Sequence, residues 1–172
     1  MMRIRQINTT RKASDHDVPM EIKWIVVDLD GTVCDIAHRV HLAQAKQWED
    51  FHALIPDDKM IKSVIDVVES LSYNFKILLC TGRNERHRAA TVKWLTDNKC
   101  DSWFDDLIMR PDEGEDSILP DHELKLKLLD DFFDGREPSL KRVTAILEDR
   151  DKVVESFRNA GYNCWQVANG QY

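Results

Sequence analysis

The chain has 172 residues, a length that suits one domain built around a single core. It is 42% hydrophobic and 32% charged, and its formal net charge of −7 argues against broad binding along nucleic acid while leaving room for a short end held in a local basic pocket. No run approaches the roughly 20 apolar residues of a membrane span, and no apolar leader core follows the first methionines, so a cytoplasmic protein with no membrane partner is expected.

Residues 1–21 are polar, with Arg3, Arg5, Arg11 and Lys12 early and Pro19 late. They read as a loosely ordered tail or as a basic arm that touches substrate. Residues 22–172 alternate strands and helices. Residues 22–27 predict a buried strand running into Asp28-Leu29-Asp30-Gly31-Thr32. Residues 33–56 form a short insertion, a minimal cap holding His38, His41, Trp48, Phe51 and His52. Trp48 and Phe51 there either anchor a cap helix or stack on a base. The spacing of Ile61, Val64, Ile65, Val68 and Leu71 predicts a helix over 57–72. A second strand over 75–80 ends in Thr81-Gly82-Arg83, a helix covers 85–98, and a third strand covers 104–109.

Residues 110–120 hold two prolines and a glycine among charges and read as a loop. A helix follows over 121–133, and a fourth strand over 143–147 ends in Glu148-Asp149-Arg150-Asp151. The last helix, 152–160, stops at Gly161, and a fifth strand covers 162–167. The four cysteines form no CxxC pair and read as reduced, mostly buried thiols.

This alternation predicts an α/β fold: a Rossmann-like, three-layer arrangement around a parallel sheet of order 3-2-1-4-5. Ligands bind such sheets beyond the carboxyl ends of the strands, at the switch point between the first and fourth. Asp28 and Asp30 end strand one, Thr81 ends strand two, and Glu148 and Asp149 end strand four, so three polar clusters meet at one edge. Carboxylates gathered there repel one another unless a cation neutralises them, and an all-oxygen donor set points to Mg²⁺ rather than zinc. A turn at Gly31 can aim Asp30 back over the pocket of Asp28. One carboxylate could then attack while the other moves a proton.

The strings DLDGT, CTGR, a lysine-bearing helix and EDRD stand in the order and spacing of the haloacid dehalogenase (HAD) superfamily, which the sequence resembles from about residue 22 to its end. The resemblance implies that Asp28 is the nucleophile and forms an aspartyl-phosphate. It implies that Asp30 serves as general acid and then base, that Thr81 holds a phosphoryl oxygen, and that Lys125 neutralises charge. Mg²⁺ would be held by Asp28, the Asp30 carbonyl and Asp149, with Glu148 and Asp151 as further possible ligands. Lys127 competes with Lys125, but two helical steps turn a side chain by about 200°, so only one can face the site. Asp151 reads equally as the acidic start of a helix.

The segment from 145 onward is similar to the phosphatase domain of phage-type polynucleotide kinase–phosphatases, notably in Glu148-Asp149-Arg150 with Val153-Val154-Glu155 and in Cys164-Trp165-Gln166-Val167-Ala168. Arg39, Gly82-Arg83 and Asp121 fall at matching positions. That likeness implies a polynucleotide 3′-phosphatase acting on a nucleotide or nucleic-acid end, with a separate kinase or ligase as a partner in repair. Arg39 and Arg83 would grip phosphate oxygens, unless Arg39 is a solvated cap residue. Asp121 would pair with Lys125 one helical turn on, or act as an N-cap. No GxxxxGK[ST] loop occurs in this sequence, so no kinase half is expected. A 5′-nucleotidase or other small phosphomonoesterase uses the same machinery, and a binding module without turnover would keep only the fold.

Overall fold

The computed structural model describes residues 22–133 and 139–170; the expected N-terminal tail lies outside the described residues. Five parallel strands form the sheet: β1 (Trp24–Val27), β2 (Lys76–Asn84), β3 (Asp106–Arg110), β4 (Val143–Glu148) and β5 (Cys164–Gln166). Their spatial order is β3-β2-β1-β4-β5, as the alternation of elements predicts. The helices are α1 (Val40–Gln44), α2 (Trp48–Ala53), α3 (Lys62–Ser72), α4 (Arg88–Asp97), α5 (Asp121–Phe132), α6 (Ser139–Arg142) and α7 (Asp151–Asn159).

Alternation along the strands divides the core into two layers. Ile25 and Val27 of β1, with Ile77, Leu79, Ala145 and Leu147 from its neighbours, pack toward α3 and α4 through Val64, Ile65, Val68, Trp94 and Leu95. Trp24, Val26, Leu78 and Ile146 face the other way, onto Leu129 of α5 and Val153, Val154 and Phe157 of α7. Every residue of β1 is buried because the strand is central and covered on both faces, which explains its unbroken Trp-Ile-Val-Val run.

Register brings the strand ends level. Val27 pairs with both Leu79 and Leu147, and the Asp28 amide donates to the Leu147 carbonyl at 3.0 Å, so β1 delivers Asp28 beside the end of β4. β2 runs four residues further than the hydrophobic pattern predicts, carrying Thr81, Gly82 and Arg83 in extended backbone past an irregularity in its pairing with β3.

The helix expected over 57–72 begins only at Lys62. Pro56 sits in a single 3₁₀ turn, Ile55–Asp57, and Asp58 is extended. Lys59–Met60 then pairs antiparallel with Cys34–Asp35, taking up backbone groups that a helix would have used. Asp58 is thereby turned inward.

Candidate active site

The site lies at the carboxyl edge of β1, β2 and β4. After Asp28 the chain turns at once: Gly31 has φ 90°, which favours glycine, and the amides of Thr32, Val33 and Cys34 all donate to the Leu29 carbonyl. This tight turn keeps Asp28 and Asp30 beside one cavity, which both line.

Asp28 is buried, and Lys125 of α5 donates to its Oδ1 at 2.7 Å. The same ammonium donates to Glu148 Oε2 at 2.7 Å, and Asp121 Oδ2 lies 3.6 Å away. Burial and then the charge of Glu148 push the Asp28 carboxyl up to about 7, while Lys125 pulls it back. Burial lowers the pKa of Lys125, but Asp28, Glu148 and Asp121 outweigh it and hold the ammonium charged. Glu148 Oε1 accepts the amides of Asp149 and Arg150, both at 3.2 Å, so it also shapes the turn after β4. Asp28, Glu148 and Asp149 form a buried group whose carboxylate oxygens come within 4.8 Å of one another. Such an all-oxygen cluster is what a hard divalent cation takes, so the residues present fit a magnesium site. Thr32 donates to Asp149 Oδ1 at 3.4 Å, joining the first motif to this cluster.

Asp30 faces the cap. Arg83 Nη2 reaches its Oδ1 at 2.5 Å, with Nε at 3.0 Å from Oδ2, and Arg39 Nη2 reaches Oδ1 at 2.6 Å. Burial raises this carboxyl, but Arg83 and then Arg39 outweigh it and hold the group well below the usual carboxylate range. Both guanidiniums also bind Asp58: Arg39 Nε and Nη2 reach its two oxygens at 2.6 and 2.5 Å, and Arg83 Nη2 lies 3.0 Å from Oδ2. Arg39 is fully buried, lies 4.0 Å over the Phe51 ring and donates to the Phe51 carbonyl. It touches the cavity through Asp30, whereas Arg83 itself lines the wall.

Thr81 is fully buried at the cavity edge, and its hydroxyl accepts the Arg83 amide at 3.3 Å. A Cβ on Gly82 would overlap Asp121 Oδ1, so β2 can pass α5 here only as glycine. Asp121 is the first residue of α5, after Pro120, and makes no capping bond. Its carboxylate instead accepts from Arg110 at 3.3 Å and Arg150 at 3.1 Å. Lys127 lies on the solvent side, paired with Asp131 and Asp116. Asp151 opens α7 and accepts from Gln166 at 2.6 Å, outside the carboxylate cluster.

The sequence does not single out Asp58 or Arg110, and it shows His52 only as one histidine of the insertion. Asp58 sits in a Pro-Asp-Asp-Lys run that looks like a solvated helix start. Arg110 ends β3 and donates to the carbonyls of Gly82, Ser117 and Leu119, tying the loop after β3 to the site. His52 is buried in the cap and stacks on His87, ring centroids 4.3 Å apart. No local signal marks any of the three, because each is brought in by long-range contacts.

A strand-end aspartate against a buried lysine, with a carboxylate cluster one strand away, on this sheet topology defines a HAD-type phosphatase. Residues 22–172 match the family described as the phosphatase domain of polynucleotide kinase PNKP, and the chain belongs to that family. Among solved structures, the fold is similar to a chain of the Pnkp1/Rnl/Hen1 RNA repair complex, with TM-score 0.71 and 24% identity over 96% of this chain. This chain spans 48% of that one, about half its length. It is also similar to a haloacid dehalogenase-like hydrolase of Streptococcus pneumoniae (TM-score 0.59, 13% identity, 85% of this chain and 84% of that one). A third similar structure is the HAD-hydrolase YfnB of Bacillus subtilis bound to magnesium (TM-score 0.57, 13% identity, 84% of this chain and 87% of that one). No curated protein matches the chain. No helix among the described residues is long and apolar enough to cross a membrane.

Proposed function

We propose that this protein is a Mg²⁺-dependent phosphatase that removes a 3′-phosphate from a nucleotide or nucleic-acid end through an aspartyl-phosphate on Asp28. The observation that carries this reading is the placement of Asp28 in the cavity lining, 2.7 Å from the buried ammonium of Lys125 and within the Asp28, Glu148, Asp149 cluster.

Asp28 Oδ attacks phosphorus and the bond to the leaving 3′-oxygen breaks. Asp30 relays a proton, which it first takes up from solvent as the substrate's phosphate competes for Arg83, to that oxygen, and as the anion again it takes one from the water that hydrolyses the acyl phosphate. As it stands, Asp30 is clamped as an anion by two arginines, the form suited to the second step. Arg83 and the Thr81 hydroxyl edge the phosphoryl position, and Lys125 offsets charge on the nucleophile. Arg39 holds Arg83's partner Asp30 in place. Magnesium, held by Asp28, Asp149 and the Asp30 carbonyl with Glu148 at hand, would offset charge on the transferred phosphoryl group.

The cavity, about 500 Å³, is larger than a phosphate needs and fits an attached nucleoside. The family description names a polynucleotide enzyme, and the RNA repair complex that includes a similar chain supports a role in end repair beside a separate kinase or ligase.

The test compares phosphate release from a 3′-phosphorylated oligonucleotide with release from nucleoside 3′- and 5′-monophosphates, with Mg²⁺ present. The oligonucleotide is expected to give the highest kcat/KM, and Asp28→Asn to abolish release from all three. A preference for 5′-monophosphates would overturn the end-repair reading, and turnover by Asp28→Asn would remove the nucleophile assignment.

A further inference from the structure

The cavity has two unlike parts. Its floor is the ionic site just described. Beyond the ionic residues, Trp48 and Phe51 of α2 and Ile118 and Leu119, from the loop after β3, line it too. Trp48 is 52% exposed and Ile118 84% exposed, large apolar side chains that the core does not use. Two carboxamides, Gln44 and Asn84, line the same space, and neither side chain is engaged among the described residues. Apolar walls with unengaged amides suit a flat ring whose edge carries hydrogen-bonding groups.

We infer that this slot binds the nucleobase of the nucleotide whose phosphate is removed, with Trp48 as its stacking platform and Ile118 as a further apolar contact. The inference rests on the end-phosphatase reading and adds what that reading lacks, a place for the base of the end nucleotide.

Contacts register the slot to the chemistry. The Trp48 ring meets Phe51 edge to face with centroids 6.1 Å apart. Phe51 lies under the Arg39 guanidinium at 4.0 Å, and Arg39 holds Asp30 at 2.6 Å. A base on Trp48 is therefore joined through packed contacts to the carboxyl that handles the proton. Amides donate and accept, so Gln44 and Asn84 can meet the edge of any base. The slot distinguishes a base from none rather than one base from another.

The experiment uses two oligonucleotides with a 3′-phosphate, one with a normal terminal base and one with an abasic tetrahydrofuran end. Wild-type protein is expected to favour the base-bearing end by about tenfold or more in kcat/KM, chiefly through KM, as stacking on one aromatic ring provides. Trp48→Ala is expected to bring that ratio near one, and Trp48→Phe to restore much of it. A wild-type ratio near one, or a ratio that Trp48→Ala leaves unchanged, overturns the slot while leaving the end-phosphatase reading standing. No release from either oligonucleotide, with release from p-nitrophenyl phosphate retained, overturns both.

Discussion

Lys125 Nζ lies 2.7 Å from Asp28 Oδ1 and 2.7 Å from Glu148 Oε2, so one buried ammonium ties the end of β1 to the end of β4. Replacing Lys125 with methionine keeps much of the stem's packing but leaves two buried carboxylates facing each other. Removing one partner of such a buried set costs about 3 kcal/mol or more. Lys125→Met is therefore expected to lower the urea midpoint by a corresponding amount and to cut kcat at least ~100-fold. An unshifted midpoint would show that the ammonium is not neutralising these groups.

Gly82 gives a sharper steric case. The Asp121 carboxylate occupies the space a side chain would need, and Arg110, Arg150 and Lys125 all hold it there. It cannot swing aside without breaking those pairs. Gly82→Ala is expected to destabilise by about 1–3 kcal/mol, as overpacking does, and to reduce activity by displacing Asp121 from Lys125. Wild-type stability and kcat in this variant would mean that Asp121 is free to move.

The parts legible in the sequence were those written locally. The Trp-Ile-Val-Val run, the Asp-x-Asp-Gly-Thr turn and the helix period around Leu124 each fix an element by their own chemistry, and the parallel order follows from the alternation. Lys125 was separable from Lys127 because helix geometry sends only one inward. Asp58 was not legible: a surface aspartate after proline and a buried one between two arginines read alike until Cys34–Asp35 pairs with Lys59–Met60 and turns the chain. Arg110 was hidden in a loop boundary for the same reason, since its partners lie 7 to 28 residues away. Arg39 and Arg83 were legible as cations near Asp28, both expected to reach phosphate, whereas Arg39 lies buried behind Asp30. That both would be shared between Asp30 and Asp58 was not.

Asp58 accepts from both guanidiniums that also hold Asp30. In Asp58→Asn their field concentrates on Asp30, whose carboxyl is already held low. A still lower pKa leaves less of the protonated form needed to protonate a leaving group, so kcat is expected to fall about tenfold with KM little changed. Loss of one of the two carboxylates that hold buried Arg39 and Arg83 is expected to cost on the order of 3 kcal/mol in chemical denaturation. If kcat holds while stability falls, Asp58 is a structural support with no bearing on Asp30.

Chelation with EDTA is expected to stop phosphate release, and added Mg²⁺ to restore it. Binding also has a readout apart from turnover. At about 100 times its Kd, a ligand that binds only the folded state adds about 2.7 kcal/mol, which raises the melting temperature by roughly 5 °C or more. Asp149→Asn is expected to lose that rise, because it removes a carboxylate from the buried cluster. A Mg²⁺-dependent rise that survives in Asp149→Asn would place the ion elsewhere.

His52 sets a pH dependence on the cap. Burial, and then the nearby His87, lower its pKa from 6.5 to about 4. The unfolded chain takes up a proton on this imidazole as pH falls through 6.5, while the folded chain does not until about 4. The unfolded state thus gains protons first, and stability falls with acidification across that window, by up to about 3 kcal/mol for the full shift. His52→Asn, which cannot titrate, is expected to flatten the dependence of the urea midpoint on pH between 6.5 and 4.5, whatever its stability at pH 7. Asp30, with its carboxyl held low, contributes a loss of its own only below the ordinary carboxylate range, so the two effects separate by pH. Parallel slopes for wild type and variant across the window would mean that His52 is free to protonate in the folded cap.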